Sequence, residues 1–119
     1  MGYRSEVVLT VKKECFDKHK EDIKEAVSFS DDLIYVKEYD IYVIKWQSIK
    51  WYESYPEIQA VEKFRQTYPE DTSFTRIGEE VEDIELTYNV YEYNIYVVRS
   101  IEIPSGEEVD KDELFKKEE

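Results

Sequence analysis

Hydrophobic and polar positions alternate from Tyr3 to Val11, with Val7, Leu9 and Val11 on one side and Glu6, Val8 and Thr10 on the other, the period of a strand. From Lys13 to Val27 the period lengthens. Cys15, Phe16, His19, Ile23, Ala26 and Val27 fall on one helical stripe, and Ser28, Ser30, Asp31 and Asp32 supply the turn that ends it. Two β-rich runs follow, LIYVKE from Leu33 and IYVIKW from Ile41, separated by Tyr39 and Asp40. Pairing Glu38 with Ile41 predicts a tight hairpin with Ile34, Val36, Ile41 and Val43 on one face and Leu33, Tyr35, Tyr42, Ile44 and Trp46 on the other. Pro56 suits a first helical turn, and Ile58, Val61, Phe64 and Tyr68 form the stripe of a second helix that Pro69 closes. Ser73 to Ile77 predicts a fourth strand ending at Gly78. Two more alternating stretches, Ile84 to Tyr88 and Tyr93 to Ile103, predict two further strands.

The first six elements run β, α, β, β, α, β. That order predicts an α+β, ferredoxin-like fold: an antiparallel sheet with two helices on one face, plus two further C-terminal strands. Residues 1–103 read as one domain and 104–119 as an acidic, flexible tail, either frayed or a short loose helix around Leu114 and Phe115. One sheet face packs on the helices. The other must be wet, covered by the extra strands, or used.

Composition narrows the function classes. The 16 Lys and Arg against 29 Asp and Glu leave a net charge of -13, which repels nucleic-acid backbones and so disfavours direct DNA or RNA binding. A 41% hydrophobic content is enough to drive folding. The single cysteine, Cys15, fits a reducing, cytoplasmic setting, and neither a signal-peptide pattern nor an apolar run long enough for a membrane span is visible. Cys15 and His19 share a helical face, but no second Cys or His completes a soft metal site, so both read as core. No phosphate loop, nucleophile motif or zinc spacing is present, and neither enzyme activity nor a cofactor is expected.

Two features remain as candidate interaction chemistry. The chain holds 11 Tyr, 2 Trp and 5 Phe, and Tyr35, Tyr42, Trp46 and Tyr96 fall off the purely aliphatic face, where they read either as rings at a protein interface or as rings packed under the loops and extra strands. The acidic run Glu79, Glu80, Glu82 and Asp83, continued by Glu85, reads either as a partner-binding edge imitating spaced phosphates or as a solvated edge that discourages strand aggregation.

The segments GYRSEV (Gly2 to Val7), IKWYESYPEI (Ile49 to Ile58) and FTRIGEEVEDIE (Phe74 to Glu85) resemble small acidic proteins encoded by phages and prophages. That group carries no assigned activity, so no functional residue transfers from it. The resemblance implies a setting in the bacterial host cell, where an accessory protein of this size binds and inhibits a host or antiviral-defence protein. An alternative is a sponge for a nucleotide signal of an immune system. It would need cations for the phosphates, with Arg4, Arg65, Arg76 and Arg99 as candidates, gathered at the seam of a homo-oligomer.

Overall fold

A computed structural model describes residues 2–97 and 100–115. Strand β1 (Ser5–Lys12) leads directly into helices α1 (Lys13–Lys18) and α2 (Lys20–Ser28), then into strands β2 (Asp32–Val36) and β3 (Ile41–Ile49). Helix α3 (Pro56–Thr67) follows, then β4 (Thr72–Ile77) and β5 (Ile84–Leu86). A 3₁₀ helix (Tyr88–Tyr93) and a small hairpin of β6 (Tyr96–Val97) and β7 (Ile101–Glu102) precede β8 (Glu107–Glu108) and α4 (Lys111–Leu114). β1 to β5 and β8 form one antiparallel sheet in the order β5-β4-β1-β3-β2-β8. The α+β class is as expected. The six-strand order is not that of a classic ferredoxin-like sheet, because β5 and β8 extend it at both edges.

The helical stripe between Lys13 and Val27 is divided in two at His19. There φ is -121° and ψ is 37°, and the ring stacks on Tyr68 with centroids 4.4 Å apart. The break lets Cys15 and Phe16 of α1 and Ile23, Ala26 and Val27 of α2 reach the same sheet face. No glycine or proline marks it, and there the His19 ring also lies within 3.2 Å of the Tyr68 hydroxyl through Nδ1.

The hairpin register differs from the tight turn expected. Val36, not Glu38, pairs with Ile41, and Lys37 to Asp40 form a four-residue loop. Asp40 closes it in the left-handed region at φ 56°, and its carboxylate accepts the Tyr35 hydroxyl at 2.5 Å. The shift is two residues. Because side chains alternate with a period of two, both face assignments survive it.

Both sides of the sheet are buried. On one face Val7, Leu9, Val11, Leu33, Tyr42, Ile44, Trp46 and Phe74 of the sheet meet Phe16 of α1 and Val61 and Phe64 of α3. On the other face Val8, Val36, Ile41 and Val43 meet Val90, Tyr93, Ile95 and Ile101 from the 3₁₀ helix and the hairpin. The stretch from Tyr93 to Ile103, expected as one strand, is instead folded back on itself to make this cover. Asn94, in the left-handed region at φ 58°, ends the 3₁₀ turn.

The segment after Pro104, expected outside the domain, is joined to it. β8 pairs with β2, the Val109 N–H donates to the Leu33 carbonyl at 2.8 Å, and Leu114 and Phe115 pack on the helix-side core. Asp110 caps α4 by accepting from the N–H groups of Asp112 and Glu113. Among the described residues no helix is long and apolar enough to cross a membrane.

If the two layers form one cooperative unit, Ile95→Ala should destabilise about as much as Leu9→Ala, each by about 2–5 kcal/mol. Urea denaturation should show a single transition with an unchanged slope in both variants. A separate early transition for Ile95→Ala would mean that the covering layer melts alone.

Candidate functional site

The three segments GYRSEV, IKWYESYPEI and FTRIGEEVEDIE, far apart in the chain, meet at one end of the sheet. The Tyr3 N–H donates to the Tyr52 hydroxyl oxygen at 2.7 Å, and the Tyr3 hydroxyl donates to Asp83 Oδ2 at 2.6 Å. Arg76 completes the junction with two bonds to Asp83, Nη2 to Oδ1 at 2.7 Å and Nη1 to Oδ2 at 3.2 Å, and reaches Ser5 Oγ at 3.1 Å. The loop between β4 and β5 is thereby held in place. Its ends close through the Gly78 N–H on the Asp83 carbonyl at 2.8 Å, while the N–H of Glu80 donates to the Tyr3 oxygen and the N–H of Arg4 to Glu79 Oε2. A Cβ at Gly78 would run into the Asp83 carboxylate and the Tyr3 hydroxyl, which is why glycine sits there.

The charges at this junction tune one another. Hydrogen bonds from Arg76 and then Tyr3 lower the Asp83 carboxyl from 3.8 to about 2. The same bond to Asp83 raises Tyr3, whose proton it holds, and Arg76 is raised chiefly by its bond to Asp83. Asp83 is therefore a structural latch. Of the acidic run, Glu79, Glu80 and Glu82 are left at the surface.

Neighbouring arginines are also engaged within the chain. Arg65 bonds Glu62 at 2.8 Å and Glu85 at 2.9 Å and lies 3.9 Å over the Phe74 ring; Arg76 also reaches Glu85 at 3.4 Å. Trp51 Nε1 donates to Glu62 at 2.9 Å and ties the β3–α3 connector to the same network. Arg65 and Arg76 thus share Glu85 rather than offering free charge to a phosphate. Arg4 lies apart, one guanidinium nitrogen on the Ser48 carbonyl at 3.2 Å, and Arg99 falls outside the described residues. Within one chain, Arg65 and Arg76 are thus held by carboxylates and Arg4 by a carbonyl.

The aromatic candidates divide in the same way. Tyr42 is 7% exposed and Trp46 1%, both beneath the helices, so they are core residues and not an accessible face. The reason is topological: the aromatic side of the hairpin is the helix side. Tyr35 is half-buried with its hydroxyl on Asp40, and only Tyr96 stands exposed.

Two other exposed rings, Tyr88 and Tyr91, lie at the end of one predicted strand and in the connector after it. Among the described residues the large apolar side chains left exposed are Tyr55, Val81, Ile84, Tyr88, Tyr91 and Tyr96, and all but Tyr55 fall between positions 81 and 96. Val81 is 91% and Tyr88 88% exposed, at the tip of the pinned loop and the start of the 3₁₀ helix. In that helix Val90 and Tyr93 point inward while Tyr88 and Tyr91 point outward. Each pair is three residues apart, the 3₁₀ repeat, and this spacing was the signal available in the sequence.

Among the described residues no group of His, Cys, Asp or Glu could hold a metal ion, and Cys15 is buried, which raises its thiol pKa. Comparison with protein-family models, curated proteins and solved structures finds no match to this chain.

Because the native Asp83 pKa lies below its ordinary value, the stabilisation it brings is complete above pH 3.8 and is lost as the pH falls toward about 2. Urea midpoints followed through that window should fall more steeply for the wild-type chain than for Asp83→Asn, and Arg76→Gln should move the Asp83 carboxyl titration upward. Parallel slopes would dismiss the latch. Gly78→Ala should lower stability by about 1–3 kcal/mol, read from the same denaturation curves.

Proposed function

We propose that this chain is a non-catalytic binding protein that engages a basic protein surface through the segment from Glu79 to Tyr96. The observation that carries this reading is the concentration of exposed Val81, Ile84, Tyr88, Tyr91 and Tyr96 in one short stretch, interleaved with the surface carboxylates Glu79, Glu80, Glu82 and Glu92. Tyrosine supplies large contact area with few rotatable bonds, and it accepts cations on its face. Carboxylates along the same segment steer a basic partner and repel acidic ones, and the net charge of -13 extends that field. The pinned loop supports the reading further. A segment already ordered loses less entropy on binding.

In the setting that the phage resemblance implies, the partner is a host or antiviral-defence protein in the bacterial cytoplasm, and occupation of its basic surface inhibits it. Glu79, Glu80 and Glu82 would then stand where phosphates stand on that partner's natural ligand. Asp83 is left out of the contact set because Arg76 and Tyr3 occupy its oxygens. We read the scaffold as a ferredoxin-like core, β4-β1-β3-β2, extended at both edges by short acidic strands. Such edges disfavour binding by strand addition and direct recognition to side chains.

A photo-crosslinker placed at Tyr91 should capture a partner from host extract that the same group at Lys24, on the helix layer, does not. With that partner purified, Tyr88→Ala/Tyr91→Ala should weaken binding by about 30-fold or more, the effect of losing interface anchors. Glu79→Gln/Glu80→Gln/Glu82→Gln should slow association and flatten its salt dependence. Equal capture from both positions, or affinity untouched by the tyrosine pair, would remove this segment as the binding face.

A further inference from the structure

Among the described residues the one exposed large apolar side chain outside residues 81–96, Tyr55, borders a cleft of about 560 Å³ that Arg4 also lines. Three elements build it: the C-terminal end of α2, the end of β3, and the first turn of α3. Its accessible apolar lining comes from Phe29 and Ile49 with the Tyr55 ring beside them. That volume lies within the range of small-molecule sites, and the mixed lining is of the kind such sites have.

The charges around this cleft are balanced in an otherwise strongly acidic protein. Arg4 and Lys50 line it from the N-terminal arm and the β3 end, Glu25 and Glu57 from the helices. Across the described residues none of the four takes part in an ion pair, although Lys13, Lys45, Arg65 and Arg76 each do. The cleft itself separates the two signs. A polyanion such as a nucleotide would meet Arg4 and Lys50 but also two carboxylates, whereas a molecule carrying one charge of each sign would satisfy both walls.

We propose that this cleft binds a zwitterion with a large apolar side chain, an α-amino acid or a short peptide with free termini. The carboxylate lies toward Arg4 and Lys50, the ammonium toward Glu25 and Glu57, and the side chain on Phe29 and Ile49. The site is separate from the Glu79–Tyr96 face and stands or falls without it.

The test is a ¹H–¹⁵N shift titration of the full chain with L-phenylalanine and the dipeptide Ala-Phe, each free, N-acetylated and C-amidated. The free forms should shift the amides of Phe29, Ser48 and Ile58, and capping either end should weaken binding at least about tenfold, the loss of one charged hydrogen-bonded pair. Tighter binding of the dipeptide would assign the ligand to peptides, and of phenylalanine to amino acids. Arg4→Gln/Lys50→Gln and Glu25→Gln/Glu57→Gln, all surface changes, should each abolish the shifts while leaving the thermal midpoint in place. Equal binding of a capped form would overturn the zwitterion, and so would the absence of shifts at these amides at about 10 mM, a concentration that detects even a millimolar ligand.

Discussion

Val8 faces away from its neighbours Val7 and Leu9 on β1, and all three are buried. That one arrangement, a sheet apolar on both faces, governs the remainder of the molecule. A half-covered sheet would leave Val8, Val36, Ile41 and Val43 in water, each at a cost of about 1.5–3 kcal/mol in lost burial. The stretch of chain from β5 to the small hairpin is spent on preventing this. Its 3₁₀ helix and hairpin lay Val90, Tyr93, Ile95 and Ile101 over the second face, so the surface left for recognition is the outside of the cover and the sheet's ends and edges.

The edges are short. β5 has three residues and β8 two, with Glu85 and the pair Glu107 and Glu108 upon them, so neither presents a long apolar ladder to another chain. At one end of the sheet the Tyr3–Asp83–Arg76 junction binds the N-terminal arm, the β4–β5 loop and β4 together. The charged cleft lies beside the Arg4 arm, at the start of β1, and Tyr88 stands beside Lys12, at the far end of that strand. Both depend on a scaffold that does not have to move to form them.

Much of this order was legible in the residues. The alternation in β1 and β2, Pro56 at the first turn of α3 and the 3-3-4 stripe ending at Tyr68 each carry a local physical signal, and each element stands where that signal put it. The site was less legible. Glu79, Glu80, Glu82 and Tyr96 are at the surface as expected, but Asp83 is consumed by Arg76, and Tyr42 and Trp46 lie in the core. A carboxylate in an acidic run looks the same in sequence whether or not an arginine seven residues earlier curls back to it. An aromatic on an alternating strand looks the same whichever layer covers it.

What the sequence determined by itself was the set of local periods, the hairpin faces, which withstand a two-residue slip, and the net charge that disfavours a nucleic-acid ligand. Tertiary structure alone decided the division of the first helix at His19, where Tyr68 supplies the stacking partner, and the docking of residues 104–115 on β2 and the core. It decided the folding of Tyr93 to Ile103 as well. A run of alternating apolar residues fits a long strand or a short turn and hairpin equally well by period, and only the uncovered apolar face of the sheet selects the second.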